Sequence, residues 1–139
     1  MKNKWVITFL CALTIAVSAL PQAYAASNPP VAIQPFWLNV DSLRTSLTFS
    51  GNTAVCGARI IAVPGVVSIT ATALLERKNA NGTYTEVKTW TGLSSSTTSL
   101  IFDGSHNVTT GYTYKLTITA NVTRSGSTEI VSGWVESKP

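Results

Sequence analysis

Residues 112–122 read YTYKLTITANV, and this stretch decides the fold class of the chain. Its even positions, from Tyr112 to Val122, carry tyrosine, leucine, isoleucine, alanine and valine, whereas its odd positions carry threonine, lysine and asparagine. Such strict alternation is typical of a β-strand that buries one face and exposes the other, as in an antiparallel sandwich. The pattern predicts that Leu116 and Ile118 are structural residues of the core.

Similar apolar segments lie on both sides of this strand, separated by turn signals such as Asn81-Gly82, a pair that tolerates positive φ. Outside the N-terminal segment, no stretch repeats apolar side chains with a helical period over three turns. We therefore predict an all-β chain that folds as a single antiparallel β-sandwich. The predicted strands are residues 36–40, 47–49, 54–63, 66–77, 83–91, 100–102, 112–122 and 130–135.

Residues 1–25 predict a secretory signal peptide. Lys2 and Lys4 give a positive start, residues 5–20 carry no charge, and Ala23-Tyr24-Ala25 matches the small-x-small pattern of signal peptidase. As a helix, the uncharged run would be about 24 Å long, which is shorter than the roughly 30 Å hydrocarbon core of a membrane. We therefore expect cleavage, and no stable membrane insertion of the processed protein.

After the signal, residues 26–35 predict an extended, proline-containing arm and residues 36–139 the sandwich domain. Only 12% of the chain is charged, and serine and threonine together account for 35 residues. Without the signal, eight cations and six acids leave a net charge of +2, and the cations are scattered along the sequence. This distribution argues against a nucleic-acid partner. The predicted location is secreted or extracellular, including the cell surface.

Cys56 is the one cysteine that remains after cleavage, so the domain cannot form an internal disulfide bond. Two interpretations are open. In the first, Cys56 is a buried small apolar residue of a strand. In the second, it is a reactive thiol or one that pairs with another molecule.

Residues 108–120 read VTTGYTYKLTITA and resemble the sixth-strand signature of fibronectin type III-like domains. In that signature, a glycine is followed three residues later by a tyrosine and then by alternating apolar positions. The resemblance implies that Tyr114 forms the tyrosine corner, in which its hydroxyl bonds to the backbone upstream.

The domain is also similar to small exported immunoglobulin-like proteins of Gram-positive bacteria whose function is unknown. The hairpin at residues 74–90 and the closing segment at residues 129–137 carry this similarity. It implies an immunoglobulin-like or fibronectin III-like Greek key, in which Trp134 is a structural residue. It implies no activity.

The segment Asp103-Gly104-Ser105-His106 contains the chemical groups of a nucleophilic triad. We predict a turn there, because three residues of one turn rarely place the base between the other two groups. The remaining carboxylates form no close pair, and one histidine with one cysteine is too few for a zinc site. We therefore expect no catalytic, cofactor-binding or metal-binding residues, and no enzyme.

Tyr84 and Trp90 fall on one face of the strand after Asn81-Gly82, if the period of two is unbroken. One interpretation buries Trp90, with Tyr84, against the sandwich. The other exposes both rings as a binding face on an edge strand. We favour the first interpretation.

Taken together, the sequence predicts a secreted, non-catalytic and monomeric binding module. Its expected partner is an unidentified extracellular protein or glycan. An alternative is a secreted antagonist, either a protease inhibitor or an antibacterial protein, that presents a loop from a rigid sandwich. The fold-level analogy behind both ideas identifies no ligand.

Overall fold

A computed structural model describes residues 36–139. The predicted signal peptide and the proline-containing arm lie outside the described residues. The described part of the chain forms strands joined by short connections. The strands are β1 (Val40–Ser50), β2 (Thr53–Ala62), β3 (Val66–Lys78), β4 (Tyr84–Ser95), β5 (Ser99–Asn107), β6 (Tyr114–Arg124) and β7 (Ser127–Ser137).

These strands form two antiparallel sheets. One sheet has the strand order β1-β2-β5, and the other has the order β4-β3-β6-β7. The predicted antiparallel β-sandwich is confirmed at this level. Strand β1 includes the predicted strand at residues 47–49 but only Val40 of the predicted strand at residues 36–40. Its extent was missed because its central outward positions are polar and a bulge after Val40 shifts its alternation.

The core lies between the two sheets and consists of the inward residues of each strand. Leu116 and Ile118 of β6 are fully buried, as are Ile60 of β2 and both Ile69 and Leu75 of β3. Tyr112, by contrast, precedes β6 and is 42% exposed, with the Arg77 guanidinium 4.7 Å from the centre of its ring. The buried face of this strand therefore begins at Tyr114.

The Tyr114 side chain joins β6 to the segment that precedes it. Its hydroxyl donates a hydrogen bond to the carbonyl oxygen of Thr109 at 2.8 Å and accepts one from the amide of the same residue at 3.0 Å. The ring is 1% exposed and packs against Phe49. Both backbone groups of Thr109 thus obtain partners where no strand supplies them.

Each side of the sandwich is closed by a side chain that lies over a glycine of the facing sheet. Trp90 of β4 and Phe102 of β5 cover Gly104 of β5, where an added Cβ would lie 2.7 Å from the phenylalanine ring and 3.0 Å from the indole. On the other side Leu43 of β1 covers Gly133 of β7, where an added Cβ would collide with the leucine Cδ2. A side chain at either position would force these covering side chains to shift, because they rest directly on the glycine backbone.

Cys56 lies in β2 with no exposed surface and is not part of a disulfide bond. Burial raises the pKa of its thiol from 9.0 to about 11, because the thiolate would lose its hydration. This environment supports the first of the two interpretations, in which Cys56 is a buried small apolar residue with a neutral thiol.

The predicted turn at Asp103-Gly104-Ser105-His106 is wrong, since all four residues belong to strand β5. His106 pairs with Ala54 on the inward side, whereas Asp103 and Ser105 pair with outward residues of β2. The acid and the imidazole therefore occupy opposite faces of one sheet. Among the described residues there is no group of three potential metal ligands, and no helix of the length and hydropathy needed to cross a bilayer.

Candidate functional site

Strand β4 contains two bulges that decide which side chains face the solvent. Opposite β3, Leu75 pairs with Lys88 but Glu76 pairs with Glu86, so that Val87 is an extra residue. The extra residue reverses the alternation of the strand. Tyr84 consequently faces outward, whereas Val87 and Trp90 pack against the core.

The prediction that Tyr84 and Trp90 share a face is therefore wrong. Trp90 is half-buried, and its ring centre lies 5.3 Å from that of Phe102 on β5. Tyr84 lies on the outer surface of the four-stranded sheet beside Lys115, whose ammonium nitrogen is 3.7 Å from the ring centre. A binding face that includes both rings does not exist.

Trp134 also differs from its predicted structural role. It is 65% exposed and projects from the outer face of β7, opposite Thr117 of β6. In β7 the inward positions are Val131, Gly133 and Val135, so the tryptophan falls on the solvent side. On the same face, four residues before Trp134 and one row past Ser132, Ile130 is 70% exposed.

The outer face of the four-stranded sheet is ordered in rows, because side chains of paired residues point to the same side. The row with Trp134 runs through Thr117 to Leu74, and the next row runs from Ser132 through Thr119 to Thr72. We call this surface the four-stranded face. It comprises the outward side chains Thr70, Thr72, Leu74, Thr117, Thr119, Asn121, Ile130, Ser132 and Trp134.

A groove of about 450 Å³ lies over β4, β3 and β6 on the four-stranded face. It exists because the second bulge of β4 places two residues, Thr91 and Gly92, opposite Thr72. Gly92 has a φ of 72° and no side chain, so the wall at this point is low. The lining residues are Thr70, Ala71, Thr72, Gly92, Leu93, Ser94, Thr119 and Asn121.

The charged residues on the outer surface of this sheet lie at one end of it, where Glu86 is opposite Glu76 and four residues form two ion pairs. Lys115 contacts the Glu76 carboxylate at 3.0 Å, and Lys78 lies 3.6 Å from Glu136. The Tyr84 hydroxyl donates a hydrogen bond to Glu136. This bond and the charge of Lys78 hold the pKa of the Glu136 carboxyl below its ordinary value.

The four-stranded face offers hydroxyl and amide groups and an exposed indole. Two lysine–glutamate ion pairs lie at one end of it. The sequence did not predict the groove, and it predicted a structural role for Trp134 instead of an exposed position. The outward threonines of β6 were visible in the alternation of residues 112–122. The segment of β7 is apolar at both outward and inward positions, so its alternation did not show which side is exposed.

No family model matches the chain, and no curated protein matches it. A solved structure similar to it is the solution structure of CsgH from R. palustris, with a sequence identity of 12% and a TM-score of 0.40. The match covers 65% of this chain and 87% of that chain.

Proposed function

We propose that this protein is a secreted, non-catalytic binding module that uses the four-stranded face to hold its ligand. The observation that carries the proposal is the 450 Å³ groove beside the 65%-exposed Trp134 on a single sheet surface. The groove falls in the size range of ligand sites, roughly 300–1,000 Å³. An exposed tryptophan is also a residue type enriched at the centres of binding surfaces.

As a finer assignment, we propose that the sandwich is of the fibronectin III type. The strand order β1-β2-β5 and β4-β3-β6-β7 supports it, since it places three strands in one sheet and four in the other. The bond from the Tyr114 hydroxyl to Thr109, five residues upstream, is the arrangement expected of a tyrosine corner.

The antagonist alternative requires a loop that projects from the sandwich. Between the described strands, the longest connection is residues 108–113, and its backbone at Thr109 is bonded to Tyr114. The other connections are turns of five residues or fewer. A sheet face is therefore the better candidate for the binding surface.

The proposal is tested by measuring how labelled protein binds to washed cells of the strain that encodes it and to their extracellular matrix. Thr119→Lys places a long charged side chain in the groove, and Thr48→Lys makes the same change on the exposed face of β1. We expect saturable binding that Thr119→Lys abolishes and Thr48→Lys leaves intact. Absence of saturable binding, or equal binding by both variants, would overturn the proposal; matching melting midpoints establish that both variants fold.

A further inference from the structure

We infer that the ligand of the four-stranded face is a neutral, hydroxyl-rich polymer, that is, an uncharged polysaccharide. The inference rests on the proposed function and names its ligand class. It is drawn from the groups that line the groove, from the position of Trp134 and from the pairing of the strands beneath.

The groove lining contains no charged side chain. It presents the hydroxyls of Thr70, Thr72, Ser94 and Thr119 and the amide of Asn121. A hydroxyl both donates and accepts hydrogen bonds, and an amide side chain carries two donor hydrogens and an acceptor oxygen. A ligand that matches such a lining needs donors and acceptors in similar number, and sugar hydroxyls provide both.

Several of these groups are not engaged within the protein. The side chains of Thr70, Thr72 and Asn121 make no hydrogen bond to any residue in the range 36–139, whereas Thr119 lies 3.4 Å from the Ser132 hydroxyl. Thr70 and Asn121 are exposed and directly paired across β3 and β6. Their polar atoms are bonded to solvent in the free protein, and a polyhydroxyl ligand replaces those bonds with bonds of the same kind.

Trp134 supplies the apolar part of the site. It stands one row from the pair Thr119 and Ser132, and 65% of its surface is open to solvent. A pyranose ring has a face of C–H groups and a rim of hydroxyls. The flat indole accepts the C–H face, while the hydroxyl rim faces the threonine rows.

Other polymer classes fit this surface less well. A polyanion requires unpaired cations, but Lys78 and Lys115 are each bonded to a glutamate. A peptide that adds to a sheet as an extra strand requires a free strand edge. The free edges of this sheet are those of β4 and β7, whereas the groove lies on the face over β3, whose backbone already pairs with β4 and β6.

The width of the site indicates a polymer rather than a single sugar. From β4 to β7 the face spans three strand intervals, or about 14 Å at the usual spacing of about 4.8 Å. Trp134 lies at one end of this span and Ser94 near the other. A ligand that contacts both must extend over several linked units.

The test is titration of the purified protein with neutral hexasaccharides that contain vicinal diols, namely β-1,4-linked glucose, xylose and mannose and α-1,4-linked glucose, followed by calorimetry and tryptophan emission. We expect saturable binding of at least one probe. Trp134→Ala should weaken it by about tenfold or more. Thr119→Val, which keeps the shape but removes the hydroxyl, should weaken it by about threefold to tenfold. Ile101→Ala, at a 65%-exposed position of the other sheet, should have no effect.

Treatment of cells separates this inference from the proposed function. Periodate, which cleaves the vicinal diols of sugars, should remove the sites for labelled protein, and protease treatment of the cells should preserve them. If protease instead removes the sites and periodate preserves them, and no hexasaccharide binds, the inference is wrong although the binding function stands. If Thr119→Lys retains full binding to cells, the four-stranded face itself is wrong.

Discussion

At the scale of single residues, the Tyr114 hydroxyl connects β6 to the chain that precedes it through two bonds to Thr109. Tyr114→Phe keeps the buried ring and removes both bonds. At about 0.5–1.5 kcal/mol for each bond, we expect a loss of about 1–3 kcal/mol in the free energy of unfolding, measured by urea titration. Tyr112→Phe is the matched control, because that ring is exposed and precedes the strand. Equal losses in the two variants would contradict the structural role assigned to Tyr114.

Cys56 provides a pH-dependent prediction at the same scale. Its pKa is raised to about 11 in the folded protein, so the unfolded chain releases the thiol proton first as the pH rises above about 9. The contribution of Cys56 to stability is therefore complete below pH 9 and is lost between pH 9 and 11.

The measurement is the free energy of unfolding against pH for the native chain and for Cys56→Ala. The two curves should run parallel below pH 9 and approach each other above it. Parallel curves through pH 11, or rapid alkylation of the folded protein at pH 8, would show that the thiol is not held in its buried, neutral form.

At the scale of strands, the two bulges of β4 separate residues that a regular strand would place together. Trp90 covers Gly104 inside the sandwich, whereas Trp134 stands on the outer face. Trp90→Ala should lower the free energy of unfolding by about 3 kcal/mol because it opens a cavity at the sandwich edge. Trp134→Ala should change it by less than about 0.5 kcal/mol. Thermal and urea unfolding of the two variants provide the comparison, and similar losses would refute the assignment of faces.

The sequence predicts the regular alternation of a strand but not the positions of its bulges. The alternation of residues 112–122 predicted the buried positions Leu116 and Ile118, because a strand in the middle of a sheet has one apolar face. A bulge has no comparable signature, since it depends on the register with the neighbouring strand. The predictions for Tyr84 and Trp90 therefore failed at Val87, the extra residue that reverses the alternation. The groove was missed for the same reason, because it depends on the second bulge of β4, which lowers the groove wall at Gly92.

At the scale of the whole sandwich, the two sheets present different outer surfaces. The three-stranded sheet pairs Arg44 directly with Arg59, an arrangement that places like charges side by side. The four-stranded sheet also has a like-charge pair, Glu76 opposite Glu86, but it lies at one end with the two lysine–glutamate pairs, and the centre of the four-stranded face is uncharged. The uncharged centre of the four-stranded face is therefore better suited to a neutral ligand than the surface around the arginine pair.

Gly104 and Gly133, which are covered by side chains of the facing sheet, show how the two sheets are held in position. Because Leu43 rests on Gly133, we expect Gly133→Ala to destabilise the domain by about 1–3 kcal/mol through overpacking. Shortening the cover with Leu43→Ala should make the added methyl group at position 133 far less costly, so the double variant would be more stable than the sum of the single losses implies. Additive losses in urea titration would show that the two residues do not meet.

The Glu129 carboxylate accepts hydrogen bonds from the amides of Leu38 and Asn39, at 2.9 and 2.7 Å, at the start of β7. Strand β1 begins beside these two hydrogen bonds. At the other end of β1, Phe49 packs against Tyr114, which pairs with Ser137 near the end of β7. Residues 36 and 139 therefore lie at opposite poles of the sandwich. Tension applied between them pulls β1 and β7 lengthwise. This direction is at right angles to the ladder hydrogen bonds that join β1 to β2 and β7 to β6. Those bonds bear the load together in shear, so the domain resists stretching instead of unzipping one bond at a time.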